Sequence, residues 1–385
     1  MTDAAAPAAP IAVYVHWPYC ARICPYCDFN VVRDRAQAEQ ADLAQAILAD
    51  LRGQAALTGP RALGSLFFGG GTPSLMRPEW VAAIIAEARA LWPTDAAPEI
   101  SLEANPTDAE ADRFAALAQA GVARLSLGLQ STDDAALTFL GRNHDAAEAL
   151  RAARMAGRLF PRLSIDLIYA RPAQTPPAWA AELRGAVDLG AEHVSPYQLT
   201  IEPGTAFDRA VARGAIVPPG PDLAASLYET TQAVLAAAGF DAYEVSNHAR
   251  GPAARSRHNL AYWTGQDYVG VGPGAHGRLT IGGARVATEA ARRVGDYIAQ
   301  VRVNGVGFAA PEALAPRDVA LERLLMGLRI DQGVPWAALA PLGLSAGSAS
   351  VQDLAAQGFL TAGPTRLAAT RVGRTVLDGI IRALV

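Results

Sequence analysis

Three cysteines fall within eight residues, Cys20, Cys24 and Cys27, at a C-x3-C-x2-C spacing directly after the short apolar run 11–15. They are the chain's full complement of three cysteines. A cubane iron–sulfur cluster normally takes four thiolates, so three leave one iron open to a small chelating ligand. Zinc matches less well, because a closed site wants four ligands and no second C-x2-C pair is present. A disulfide framework fails on the odd count and the length of the chain. The bland alternative is three free cysteines packed as small hydrophobes. Chance would scatter these over 385 positions instead of confining them to eight.

Such a loop needs a scaffold. Strand-like runs at 11–16, 65–68, 99–103, 124–130, 163–168 and 193–199 are separated by helical patterns at 34–57, 78–91, 109–120, 135–140, 146–159 and 179–189. Six βα repeats of this kind imply an α/β fold, a parallel sheet with crossover helices, either open or curled into a barrel. The polar and glycine-rich features fall at the ends of those strands. They are the cysteine loop, Gly69-Gly70-Gly71-Thr72-Pro73-Ser74, Glu103-Ala104-Asn105-Pro106, Gln130, Asp166 and Gln198. Taken singly, each is best read as a helix cap, a turn or a satisfied core acid. Barrel chemistry collects at C-terminal strand ends, where all the βα loops meet, so their convergence there carries the argument.

Beyond residue 199 the pattern changes, with a helix expected at 222–238, a strand at 243–248 and a glycine-rich turn at 270–276. From residue 311 a new unit is expected, with helices at 318–329, 348–357 and 372–384 and two short strands within 359–371. The predicted organisation is a tail (1–10), a barrel with an extension (11–310) and a small helical, winged-helix-like C-terminal domain (311–385).

Composition narrows the class. Hydrophobic content of 51% with 18% charge indicates a well-buried core and not disorder. The sequence contains no lysine, so every fixed side-chain cation is an arginine. A net charge of −4 gives no nucleic-acid footprint, and Arg366, Arg371, Arg374 and Arg382 read as an ordinary solvated face. The first residues lack the basic and apolar regions of a signal peptide, and no apolar run reaches membrane-spanning length. A reduced, cytoplasmic location is therefore expected, which suits an oxygen-sensitive cluster.

Gly69-Gly70-Gly71-Thr72-Pro73 is not a phosphate-binding P-loop, which needs a following lysine. Bare glycine backbone instead lets a ligand lie against free N–H and C=O groups. The cysteine spacing, with Tyr14-x-His16 before it and Pro25-Tyr26 inside it, resembles the radical S-adenosylmethionine (SAM) superfamily. That resemblance implies a partial (β/α)6 barrel, a 4Fe-4S cluster on Cys20, Cys24 and Cys27, and SAM chelating the open iron and cleaved after reduction. By matching position, Gly70, Gly71 and Thr72 would hold the SAM amino group, with Tyr14 beside them. Glu103 would take the ribose hydroxyls, while Gln130, Arg142 and Asp166 would bind elsewhere on the nucleoside or carboxylate.

Ser126-Leu127-Gly128-Leu129-Gln130-Ser131, Leu140-Gly141-Arg142, Asp166-Leu167-Ile168-Tyr169 and Leu199-Thr200-Ile201-Glu202-Pro203-Gly204-Thr205 are similar to relatives of oxygen-independent coproporphyrinogen dehydrogenase. Two segments depart from it. The dehydrogenase carries a further cysteine where this chain has Phe29, and its middle third differs from Ser256-Arg257-His258-Asn259-Leu260-Ala261-Tyr262-Trp263. Phe29 and His-Asn-x-x-Tyr-Trp are similar to the HemW-type haem chaperones. Asp166-Leu167-Ile168-Tyr169-Ala170-Arg171-Pro172 departs from the Gly-Leu-Pro ending usual there.

The resemblance implies a haem site. His258 would be an axial ligand, Arg255 and Arg257 would pair with propionates, and Tyr262 and Trp263 would pack on the porphyrin face. The competing role for His258 is a hydrogen-bonded core residue, as expected for His144, His193 and His248. Residues 250–302 hold eight arginines against three acids, an excess that suits a dianionic tetrapyrrole, a partner or a membrane surface.

The expected function is a haem chaperone that binds a 4Fe-4S cluster, SAM and haem. It would serve haemoproteins such as respiratory enzymes, or draw on a bacterioferritin-like donor. A homodimer and a peripheral contact at the inner face of the membrane stay open, and nucleic acid is not expected. Coproporphyrinogen dehydrogenase activity is the first rival, and a non-catalytic iron–sulfur electron-transfer protein the second.

Overall fold

Side chains alternate between an apolar outer face and a polar inner face along six strands: β1 (Ile11–Trp17), β2 (Leu63–Gly70), β3 (Glu99–Ala104), β4 (Arg124–Gln130), β5 (Arg162–Tyr169) and β6 (His193–Gln198). The structure, a computed structural model, describes residues 9–34 and 37–385. Most of the expected tail and part of the expected start of the first helix therefore lie outside the described residues. Successive strand residues point to opposite faces. Accordingly Ile100 and Leu102, Leu125, Leu127 and Leu129, and Leu163, Ile165 and Leu167 sink into one core under the outer helices. Between them Glu103, Arg124, Ser126, Gln130, Asp166, His193 and Ser195 line an internal cavity.

The six strands pair in parallel in chain order, with crossover helices that include Gln37–Thr58, Pro78–Leu91, Ala146–Leu159 and Pro176–Val187. The side chains of Asp145 and Thr175 cap two of these by accepting from the amides of Glu148 and Ala178; losing such a cap costs about 1 kcal/mol. The helix expected over 109–120 is two pieces, Asp108–Ala111 and Phe114–Gln119. The turn between them lets Arg113 donate to the carbonyls of Ser74 (3.3 Å) and Leu75 (2.9 Å) behind the glycine loop.

A seventh parallel strand, β7 (Tyr268–Val271), pairs with the free side of β1 and is followed by the antiparallel strands β8 (His276–Ile281) and β9 (Ala284–Glu289). The sequence pattern left these as turn and connection. β7 is only four residues long and ends among glycines that serve close packing; a Cβ on Gly270 would lie 2.0 Å from the His276 carbonyl oxygen. On the other flank the strand expected over 243–248 shrinks to His248–Ala249, antiparallel to β6. Glu244 folds that segment into a turn by accepting from the Ser246 amide and the Asn247 side chain. The twelve-stranded sheet ends on unjoined edges, so the barrel is partial.

The C-terminal part has its own core, with Leu324, Leu328, Val351, Leu360, Leu367 and Ile380 among its members. The helices Pro316–Gly327, Ala349–Ala356 and Leu377–Leu384 pack with a three-stranded antiparallel sheet. Its third strand, Val334–Pro335, is two residues long, too short for any periodic signal. The last helix, expected from 372, is preceded by a separate 3-10 turn, Gly373–Val376.

Candidate functional site

The cysteine loop leaves β1 and closes over the C-terminal ends of the strands. Cys20, Cys24 and Cys27 all line one cavity of about 580 Å3, together with Gly70, Gly71, Thr72, Glu103, Gln130, Arg142 and Asp166. Two ties anchor the loop. The Pro25 carbonyl accepts from the Phe207 amide at 3.0 Å. Asn30 donates through its side chain to the Pro273 (2.9 Å) and Arg292 (2.8 Å) carbonyls, and its own carbonyl accepts from His16 Nε2 (2.8 Å).

The donors around the sulfurs suit thiolates. Thr72 Oγ1 approaches Cys20 Sγ at 3.6 Å, and Arg142 Nη1 approaches Cys24 Sγ at 3.3 Å. Burial raises the pKa of the Cys20 thiol and pushes that of Cys27 up to about 11, so these groups are protonated until something replaces the proton. Among the described residues no three Cys, His, Asp or Glu side chains are drawn into a ready-made metal cage. Three sulfurs on one loop facing a cavity, two of them met by donors, nevertheless fit a cluster that brings its own sulfides.

The glycine run is packed against this loop. A Cβ on Gly70, whose φ is +106°, would lie 2.6 Å from the His16 ring, and one on Gly71 would lie 2.7 Å from the Pro18 and Tyr19 carbonyl oxygens. Gly71 and Thr72 already donate their amides to the Trp17 (2.7 Å) and Tyr19 (2.9 Å) carbonyls. Gly70 N donates to Glu103 Oε2 at 3.3 Å. What the run still offers a ligand is acceptors, which is what an ammonium group needs.

Burial, reinforced by the nearby Asp166 carboxylate, pushes the Glu103 carboxyl up to about 8. Burial also raises Asp166, against hydrogen bonds from Ser126 (2.9 Å) and Ser164 (3.4 Å). Gln130 ends β4 at φ +65°, a conformation uncommon for a non-glycine residue, and its buried Oε1 has no hydrogen-bond partner. Arg142 is held by Cys24, the Asn105 side chain and the Gly128 carbonyl. Tyr14 hydrogen-bonds His16 Nδ1 at 3.1 Å at the edge of the same cavity.

The expected haem residues do not form one surface. The helix Arg257–Trp263 plugs the barrel interior and divides them. His258, 2% exposed, hydrogen-bonds through Nδ1 to Ser65 (3.0 Å) and through Nε2 to Tyr262 (2.9 Å), and its ring stacks on Phe67. Burial, with the Arg124 cation nearby, lowers its pKa to about 3. Both ring nitrogens are thus engaged, and the geometry favours the core role over the axial-ligand role. Trp263 turns the other way, where Arg323 donates to its carbonyl and Arg329 lies over its ring. Arg257 donates to the Ala97 carbonyl (3.1 Å), ahead of β3 and away from the cysteines.

The arginine excess over 250–302 disperses as well. Arg255 pairs with Asp331, Arg278 with Glu322, Arg285 with Asp267 and Arg302 with Asp42. Besides His258 and Tyr262, the cavity is lined by side chains to which the motifs assigned no role: Asn105, Arg124, Ser126, Ser195 and Tyr197. Strict alternation along β4 would have pointed to Arg124 and Ser126.

An open parallel barrel with a three-cysteine loop at its mouth is the architecture of the radical SAM class. A model of the radical SAM superfamily matches residues 14–181, and one of the HemN C-terminal domain matches 314–376. The Bos taurus protein named radical S-adenosyl methionine domain-containing protein 1, mitochondrial, is 42% identical over 97% of this chain and 87% of its own length. Heme chaperone HemW of Mycobacterium tuberculosis is 36% identical over 98% of this chain and 95% of its own. The Escherichia coli HemW is 40% identical over 72% of each. Among solved structures, coproporphyrinogen III oxidase (HemN) of Escherichia coli superposes with a TM-score of 0.80 at 23% identity, over 99% of this chain and 91% of its own, a likeness of fold alone. The chain belongs to the radical SAM superfamily, in the family that holds the HemW heme chaperones and their mitochondrial relatives.

Proposed function

We propose that this chain is a haem chaperone that holds a 4Fe-4S cluster on Cys20, Cys24 and Cys27 and SAM in the cavity behind them, and that passes haem to haemoproteins in a reduced, cytoplasmic compartment. The observation that carries this reading is the near full-length match to proteins named heme chaperone, 36% identical over 98% of the chain. Among the described residues no helix is long and apolar enough to cross a membrane.

When bound, the cluster supplies an electron to SAM; the chain supplies position. Glu103 takes the ribose hydroxyls once its proton has left. Gln130, with an unspent Oε1, faces the nucleoside. Arg142 holds Cys24 in place and screens its charge.

The haem ligand is better sought at the mouth than at His258. A second cavity of about 380 Å3 is lined by Phe29, Tyr262, Tyr268, His276 and Arg292. His276 is exposed, and no hydrogen bond engages its ring among the described residues. Phe29, 61% exposed, offers an apolar face beside it. The test is to give the reconstituted protein haem and, separately, coproporphyrinogen. Retention of haem with no carbon dioxide release is expected; stoichiometric carbon dioxide from coproporphyrinogen would install the dehydrogenase rival.

A further inference from the structure

Asn105 directly follows β3 and lines the main cavity. Its side chain joins the two residues that reach the sulfurs. Nδ2 donates to Thr72 Oγ1 at 3.1 Å, and Oδ1 accepts from Arg142 Nη2. Thr72 Oγ1 in turn approaches Cys20 Sγ at 3.6 Å, and Arg142 Nη1 approaches Cys24 Sγ at 3.3 Å. One orientation of the amide satisfies this arrangement. A guanidinium has no acceptor, so the amide oxygen faces Arg142 and the NH2 group faces Thr72. A hydroxyl carries a single proton. With Asn105 donating to it, Thr72 is left to aim that proton at Cys20, and among the described residues its hydroxyl has no third partner. The backbone of Asn105 is anchored separately. Glu110 Oε2 accepts from Asn105 N at 2.9 Å and from the Ser74 hydroxyl.

We propose that Asn105 is a positioning residue for the redox potential of the cluster. It holds the Thr72 hydroxyl and the Arg142 guanidinium as donors to Cys20 and Cys24 while touching neither sulfur itself. Hydrogen bonds to the sulfurs and positive charge beside them favour the reduced, more negative cluster, and so raise its potential. The two donors come from separate segments, the glycine loop and the turn after the helix Asp134–Phe139. One planar amide fixes both. The assignment rests on the cluster reading given under the proposed function.

The test is a redox titration of the reconstituted full chain without SAM, poised with dithionite and mediator dyes. The paramagnetic signal of the reduced cluster is the readout. Asn105→Ala should lower the midpoint, so that the ratio of reduced to oxidised cluster at a fixed potential falls about tenfold, about 59 mV for a one-electron couple. Asn105→Asp should lower it further, because an oxygen in place of Nδ2 claims the Thr72 proton and adds a negative charge. Thr72→Val should lower the midpoint and Thr72→Ser should leave it in place. In a Thr72→Val background the Asn105→Ala shift should be smaller than in the unaltered chain, since the two residues act through one hydrogen bond. Iron content and circular dichroism report an intact site in each variant; if Asn105→Ala does not load, Asn105→Asp and Asn105→Ser decide by the same midpoint. An unchanged midpoint in Asn105→Ala, or a shift of equal size with and without the Thr72 hydroxyl, overturns the role of Asn105 and leaves the cluster reading standing. An unaltered chain that takes up no cluster overturns that reading, and this assignment with it.

Discussion

The inner wall around Glu103 and the plug helix Arg257–Trp263 were both singled out by short motifs, yet they differ in how much hydrogen-bonding capacity they have left. On the wall, Gln130 Oε1, Ser101 Oγ and Arg124 Nε are buried and unpaired, and Glu103 is held protonated by burial and by Asp166. On the plug, His258 and Tyr262 satisfy one another and Ser65, and the unpaired Trp263 Nε1 belongs to a side chain that does not line the cavity. Unmade hydrogen bonds in a buried place mark where a ligand belongs, because leaving them unmade costs free energy. A completed network marks a structural part. A motif alone does not separate the two.

The largest expected effect lies at the loop that the wall faces. Changing Cys24 to Ser should abolish the brown cluster chromophore and the reduced-state paramagnetic signal; a fully loaded cluster in that variant would remove Cys24 as a ligand. Next comes the wall itself. Glu103→Ala should weaken SAM binding by about 1.5–3 kcal/mol, as expected for hydrogen bonds to a charged group. Because the empty-site carboxyl sits at about 8, SAM affinity of the unaltered protein should strengthen as pH rises from 6 to 9. Titration calorimetry across that range reads both, and an affinity independent of pH and of Glu103 would clear this wall of its role.

The plug should answer with stability rather than with ligand. His258→Ala removes two buried hydrogen bonds and should cost about 1–3 kcal/mol of unfolding free energy. The Soret band of bound haem should shift in His276→Ala and stay in place in His258→Ala; the reverse pattern would return the iron to His258. The smallest effect concerns acid. A histidine near 3 when folded and near 6.5 when unfolded leaves the unfolded state with the extra proton between those values. Its contribution is therefore intact above about pH 6.5 and lost progressively as pH falls toward 3. His258→Gln should flatten that part of the stability profile, seen by urea unfolding at stepped pH.

Much of the fold was legible because period-two alternation and βα spacing are strong signals. All six core strands stand near their expected places, from Ile11–Trp17 to His193–Gln198. What escaped was short or set by tertiary contact: β7 among its glycines, the two-residue strand Val334–Pro335, and the broken helix near Arg113. The residues expected around the cysteines share one cavity because each lies at a strand end, and strand ends meet. The haem set dispersed because neighbours in sequence on a helix look in different directions. His258 faces Phe67, whereas Trp263, five positions on, faces the C-terminal helices.

The ties at Pro25 and Asn30 bear on how the cluster is assembled. Many small metal sites acquire their shape only as metal binds, so that metal affinity and folding are one quantity. Here the loop is fastened on one flank to Phe207 and on the other to Pro273 and Arg292 by hydrogen bonds that involve none of the three sulfurs. Each loop residue that such ties fix costs roughly 1–2 kcal/mol of conformational entropy, a cost shared with the folding of the barrel. The loop is thus held to the barrel by contacts that stay available whatever occupies the cysteines.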